Sequence, residues 1–165
     1  VKRLSRLLDQ LRSGEGGTPA ARRTRLADVA RQAVARLQDR APAPTLAEVD
    51  EDAFAMVSGE RLEHVLEHVI RNAQDATPAE GYVKVAVRSA GNSAAIEVSD
   101  TGRGMDAEFV RDRLFRPFDT TKGAKGMGIG AFQTREFVRA AGGDVRVSSS
   151  PGSGTMFMIL LPKCP

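Results

Sequence analysis

The chain has 165 residues, 41% of them hydrophobic but only 5% aromatic and none of them Trp, which suits one domain with an aliphatic core and a short appendage. A single cysteine, Cys164, excludes a disulfide framework and a zinc site built on cysteine pairs, and no apolar run approaches the roughly 18 residues of a membrane span. The net charge of +3 is uneven, with ten Lys/Arg against four Asp/Glu in residues 1–40; no helix-turn-helix, RNP or zinc pattern accompanies that stretch, so it reads as solvated Arg-rich helix surface and not as a nucleic-acid footprint.

Leu4, Leu7, Leu8 and Leu11 recur at helical spacing and predict a helix over about 2–13. Gly14, Gly16, Gly17 and Pro19 break it into a joint. Leu26, Val29, Ala30, Ala33, Val34 and Leu37 predict a second helix over about 24–39, ended by Ala41-Pro42-Ala43-Pro44. Short strands are expected near 45–49 and 53–57. The strongest helical signal covers 59–76, where Leu62, Val65, Leu66, Val69, Ile70, Ala73 and Ala76 fall on one face. Ser58 supplies an N-cap, and Pro78 stops the helix soon after its end.

Strand character follows. Val83, Val85 and Val87 alternate with Lys84, Ala86 and Arg88, Ile96 and Val98 with Glu97 and Ser99, and Gly91-Asn92 is the hairpin turn between them. The stretch 100–130 carries little regular pattern. A helix over about 130–141 ends at Gly142-Gly143. Val145 and Val147, a Pro151-Gly152-Ser153-Gly154 turn and the apolar strand 155–161 make a second hairpin. Hairpins with helices between them predict an α+β fold, a two-layer α/β sandwich with helices on one face of a mixed, mostly antiparallel sheet.

Three glycine clusters could carry chemistry: Asp100-Thr101-Gly102-Arg103-Gly104 after a strand, Gly126-Met127-Gly128-Ile129-Gly130 before a helix, and Gly152-Ser153-Gly154 in a hairpin. The middle cluster reads either as a loop-to-helix junction or as a phosphate cradle, in which converging N–H groups and the helix N-terminus hold an anion, with Lys122 and Lys125 adding charge. A P-loop is excluded because no Gly-Lys-Ser/Thr follows, and a Rossmann turn because 120–125 reads as loop, not strand. On helix 59–76, His68, Asn72 and Asp75 share a stripe beside the apolar face. That stripe is either a solvated edge or a set of oxygen donors for Mg²⁺.

The order of these clusters carries a resemblance. His68-Val-Ile-Arg-Asn72-Ala73-Gln-Asp75-Ala76 resembles the N box of the ATP-binding superfamily shared by gyrase, the ninety-kilodalton heat-shock protein, histidine kinases and MutL. Asp100-x-Gly102-x-Gly104 is similar to its G1 box, Phe115-Arg116-Pro117-Phe118 to the F box of histidine kinases, Gly126-x-Gly128-x-Gly130 to the G2 box, and Gly154-Thr155 to a further recurring element. The likeness spans about 24–162 and implies the Bergerat ATP-binding fold of a sensor histidine kinase. The runs at 118–122 and 126–130 resemble those of exosortase-linked sensor kinases.

The resemblance implies Asn72 as Mg²⁺ ligand and Asp100 as acceptor from the adenine amino group. A carboxylate in that place rejects guanine, which offers a carbonyl there. Gly102, Gly104 and Met105 would approach the base. Residues 105–125 would form a lid, with Thr121 and Lys122 reaching the phosphates and Phe115 and Phe118 either latching the lid or packing in the core. Asp75, Ala76, Gly126, Met127, Gly128, Ile129, Gly130 and Thr155 complete the implied nucleotide contacts. His68 departs from the family, which has Asn or, in hydrolysing members, Glu; it is open to reading as a phosphate contact, a base or a passive helix residue. Asp75 and Arg116 also depart from the kinase pattern.

On this reading residues 1–14 are the remnant of a second dimerisation helix, 15–23 a linker and 24–165 the ATP-binding catalytic domain. Neither His64 nor His68 sits in a dimerisation hairpin, so the chain is expected to bind Mg²⁺ and ATP without stably autophosphorylating. The phosphoacceptor helices and a response regulator are the implied partners, and the location is expected to be cytoplasmic, with the parent protein anchored in the inner membrane. Three alternatives stand: an ATPase of the gyrase or MutL kind, a serine kinase of the anti-sigma type, and a silent nucleotide-sensing module.

Overall fold

The computed structural model describes residues 20–116 and 129–165, the last segment's first residue by its backbone alone. The expected helix 2–13, the joint 14–19, Pro117, Phe118, Thr121, Lys122, Lys125, Gly126, Met127 and Gly128 lie outside the described residues. Elements follow in the order β1 (Arg22–Arg25), α1 (Leu26–Arg36), β2 (Pro44–Val49), β3 (Phe54–Val57), α2 (Gly59–Ala76), β4 (Val83–Ala90), β5 (Ser93–Asp100), α3 (Ala107–Asp112), α4 (Ile129–Ala140), β6 (Asp144–Ser150) and β7 (Gly154–Pro162).

The main sheet has the order β2-β4-β5-β7-β6, and β1 pairs with β3 in a separate ribbon. Both expected hairpins form in register, Val85 opposite Val98 in one and Val147 opposite Phe157 in the other. Gly91 takes φ 58° at the first turn, a conformation open to glycine without strain. β2 runs parallel to β4. A parallel neighbour needs a crossover, and the stretch through β3 and α2 supplies it.

Helix α2 spans the expected residues. The Ser58 hydroxyl accepts from the Arg61 N–H at 3.3 Å, which satisfies one of the orphan donors of the first turn. Its apolar stripe packs on the inner face of the sheet, and Leu62, Leu66, Ile70, Val83, Val85, Ile96 and Ile159 are all fully buried. We expect Leu66→Ala to lower unfolding free energy by about 2–5 kcal/mol, read from urea denaturation, because the close-packed layer cannot collapse into the void.

Two local expectations are corrected. The second helix begins at Leu26, not 24, because Arg22–Arg25 are taken by β1, whose Arg22 lies opposite Val57. The stretch after residue 100 contains α3, capped by the Asp106 carboxylate, which accepts from the Phe109 N–H at 2.7 Å. It is short, and none of its residues is buried, so it has no apolar stripe to read.

Candidate functional site

β5 ends at Asp100, between β4 and β7, and there the chain meets the C-terminal end of α2. Asp100 is buried, 9% exposed. Its Oδ1 accepts from the Gly102 N–H at 2.8 Å. Burial raises the carboxyl above its ordinary value, and N–H groups of Gly102 and Thr155 with the Thr77 hydroxyl pull it back only in part.

The close approach of G1 loop and helix explains the glycines. The Arg103 N–H donates to the Ala76 carbonyl at 3.0 Å, and a Cβ on Gly102 would lie 2.4 Å from that oxygen. Gly104 has φ 68° and would set a Cβ 1.9 Å from the Ser150 carbonyl oxygen. The loop after α2 is tied to the same place. The Tyr82 N–H donates to Thr101 Oγ1 at 2.9 Å, and the Thr101 N–H to the Tyr82 carbonyl at 3.2 Å.

Thr155 stands opposite Asp100 in the β5–β7 register. Its hydroxyl lies 2.7 Å from that of Ser149, which accepts from the Met105 N–H at 2.8 Å and donates to the Gly154 carbonyl at 3.0 Å. One serine thus ties the G1 loop to both strands of the terminal hairpin. Ser149 and Thr77 escaped the sequence reading. Three successive serines before a Pro-Gly turn give no sign of which one faces inward, and the register alone selects it.

On α2, His68, Asn72 and Asp75 are exposed along one stripe as expected, and Ala76 is half-buried beside Gly102. Asp75 forms an ion pair with Arg40. Gln74, inside the N box, is buried, and its amide N–H groups reach the carbonyls of Leu37 and Arg40 at 3.1 Å and of Pro42 at 3.3 Å. It fastens the chain after α1 to the helix. Gly130 opens α4 against His68, where an added Cβ would meet the imidazole. Phe115 is half-buried and packs against the core. Its ring centroid lies 6.5 Å from that of Phe157, and the Arg135 guanidinium lies 4.4 Å from its centre. This contact fits both readings of Phe115, ordinary packing and a latch on the core.

The site therefore joins N-box, G1 and terminal-hairpin residues around Asp100, with the start of α4 against His68. Residues 58–165 match the family described as histidine kinase-, DNA gyrase B-, and HSP90-like ATPase. The chain belongs to this family, and its domain is of the ATP-binding catalytic kind found in two-component sensor histidine kinases.

The sensor histidine kinase ZraS of Klebsiella oxytoca is 38% identical over 104 residues, which are 62% of this chain and 22% of that protein. Sporulation kinase C of Bacillus subtilis is 30% identical over 109 residues, 65% of this chain and 25% of that one. The match spans about a quarter or less of these relatives. Among solved structures, the mycobacterial sensor histidine kinase MprB superposes with a TM-score of 0.77 at 22% identity, covering 88% of this chain and 99% of that one. The nucleotide-free catalytic domain of histidine kinase ThkA gives 0.75 at 22%, covering 87% and 98%. These structures speak for the fold. Among the described residues no helix is long and apolar enough to cross a membrane.

Proposed function

We propose that the domain holds Mg²⁺ and ATP and donates the γ-phosphoryl group to a histidine on dimerisation helices of its parent protein, from which a response regulator takes it onto an aspartate. The observation that carries the adenine part is the buried Asp100 carboxylate beside glycines whose Cβ positions are filled by neighbouring backbone. It accepts from the exocyclic amino group of adenine, while the bare backbone of Gly102 and Gly104 admits the base. Met105 packs beside it.

Asn72 fits a Mg²⁺ role by its chemistry, a neutral amide oxygen of the hard kind that ion prefers. Among the described residues no three His, Cys, Asp or Glu side chains gather to hold a metal. Mg²⁺ is commonly held by one or two protein oxygens and by phosphates. Asn72 would hold it, and when bound it neutralises charge on the phosphate oxygens. The N-terminal N–H groups of α4, with Gly126, Met127, Gly128, Ile129 and Gly130, bind the phosphates, and Thr121 and Lys122 add donors and charge. The domain's contribution to phosphoryl transfer is positioning and electrostatics, with no covalent step on its own side chains.

The same reading divides the chain into a helix remnant at 1–14, a linker at 15–23 and the catalytic domain at 24–165. It places the domain in the cytoplasm of a membrane-anchored parent. Calorimetry tests it. ADP is expected to bind and GDP to fail. Asn72→Ala is expected to lose about tenfold or more in affinity for ADP with Mg²⁺ and far less without the metal. Equal binding of ADP and GDP would refute the adenine assignment, and an unchanged Mg²⁺ dependence the metal assignment.

A further inference from the structure

His68 occupies an N-box position where the sequence departs from the family, one helical turn before Asn72. Its surroundings assign it a role. A Cβ added to Gly130 would lie 2.1 Å from His68 Cδ2 and 2.2 Å from Nε2. The imidazole edge therefore rests on the bare backbone of the first turn of α4. At 2.1–2.2 Å a Cβ there and the ring as placed cannot both fit, so the exposed ring would have to swing aside. The ring and the missing Cβ at Gly130 are one fitted pair.

The pair belongs to a longer seam. Seven residues before His68, the Arg61 guanidinium lies over the Phe137 ring at 4.9 Å, and Phe137 is seven residues after Gly130. Seven residues is close to two helical turns, so α2 and α4 run antiparallel and touch along the same stripe of each. The next residue of that stripe on α2 is Asn72, one turn beyond His68 and so past the point where α4 begins. Whatever fixes the start of α4 along α2 thereby fixes the distance between its N-terminal N–H groups and the Asn72 amide.

We propose that His68 is a positioning residue for the phosphate end of the nucleotide site: its imidazole seats the first turn of α4 on α2, and Gly130 is glycine because a side chain would evict the ring. The phosphate part rests on the nucleotide reading above. The seat itself does not. His68 here acts through α4 and needs neither to take a proton nor to touch the ligand.

A double-mutant cycle tests this, with ADP affinity by calorimetry and melting temperature measured on the same samples. His68→Ala removes the ring, and Gly130→Ala displaces it. Each is expected to weaken ADP binding about threefold to tenfold, and the pair together no more than either alone, because both destroy one seat. Gly130 has no positive φ, so alanine suits its helical backbone. In the His68→Ala background Gly130→Ala should therefore raise the melting temperature by about 1–4 °C, the ordinary helix preference for alanine. With His68 present the same change should give less, or lower it.

Affinity losses that multiply would overturn the proposal, since Gly130 would then serve the phosphate directly and His68 separately. Unchanged ADP affinity in His68→Ala would overturn it as well. Equal melting shifts for Gly130→Ala in both backgrounds would show that the two residues do not share space. A wild-type domain that binds no ADP, with the melting cycle still coupled, would refute the nucleotide reading and leave the seat standing.

Discussion

Asp100→Asn is expected to lose ADP binding by about tenfold to a hundredfold while the nucleotide-free domain melts at or above the wild-type temperature at pH 7. The affinity loss follows from replacing an ionised acceptor by a neutral one whose amide N–H groups face a donor; charged hydrogen bonds are worth about 1.5–3 kcal/mol. Stability moves the other way because of burial. The folded-state pKa of Asp100 is raised, chiefly by desolvation. The folded state therefore holds this proton more tightly than the unfolded chain does. The favourable contribution is present when the group is protonated in both states, and it falls away as pH rises from the unfolded value through the folded one. Once ionised, the carboxylate sits in a place that penalises charge, and asparagine removes that penalty. Thermal melts of both proteins from pH 3 to pH 8 give the check. The wild type should fall relative to the variant as pH rises through the carboxylate range. A variant that melts many degrees lower at pH 7, or binds ADP normally, contradicts the assignment.

Gly104→Ala should be the most damaging single-methyl change in the G1 loop. Alanine at φ 68° is strained, and its Cβ would sit 1.9 Å from the Ser150 carbonyl oxygen and 3.2 Å from that of Gly154. Both are backbone atoms of the terminal hairpin and cannot swing away. We expect a loss of at least about 2 kcal/mol, made of left-handed strain plus displacement of the loop. For a chain of this size that is a fall of about 4–8 °C in melting temperature. Gly152 is the control. It has φ 77°, but a Cβ there meets nothing within 4 Å. Gly152→Ala should cost about 1 kcal/mol of strain and leave ADP affinity intact. If the two substitutions are equally mild, the G1 loop does not lie against the hairpin as described.

The linear pattern carried the elements that have strong periodicity or strong punctuation. Helix 59–76 needed only an apolar stripe with a period near 3.6, Ser58 before it and Pro78 after it. Both hairpins needed alternation and a glycine turn. β1 was illegible for a physical reason. Arg22, Arg23, Thr24 and Arg25 are an exposed edge ribbon without alternation, and only their pairing with Phe54–Val57 makes them a strand. The hydrogen-bonding side chains that support the site were hidden for a related reason. Ser149, Thr77 and Gln74 are polar residues in polar-looking stretches, and what matters about them is which backbone carbonyl or N–H lies opposite.

What the sequence determined by itself was the set of chemically distinctive residues and their order: Asn72 on a helix, Asp100-x-Gly102-x-Gly104 after a strand, glycines before α4, Gly154-Thr155 in a hairpin. Those depend on residue type and spacing along the chain, which are one-dimensional facts. Only the tertiary structure decided that Asp100 is buried at the meeting of α2 and β7, that Phe115 packs beside Phe157, that Asp75 turns to Arg40, and that His68 lies on Gly130. Such contacts join residues tens of positions apart, and no local preference encodes them. They arise because burying the shared apolar faces of α2, α4 and the sheet leaves a single close-packed arrangement, and the polar residues at its rim inherit their neighbours from it.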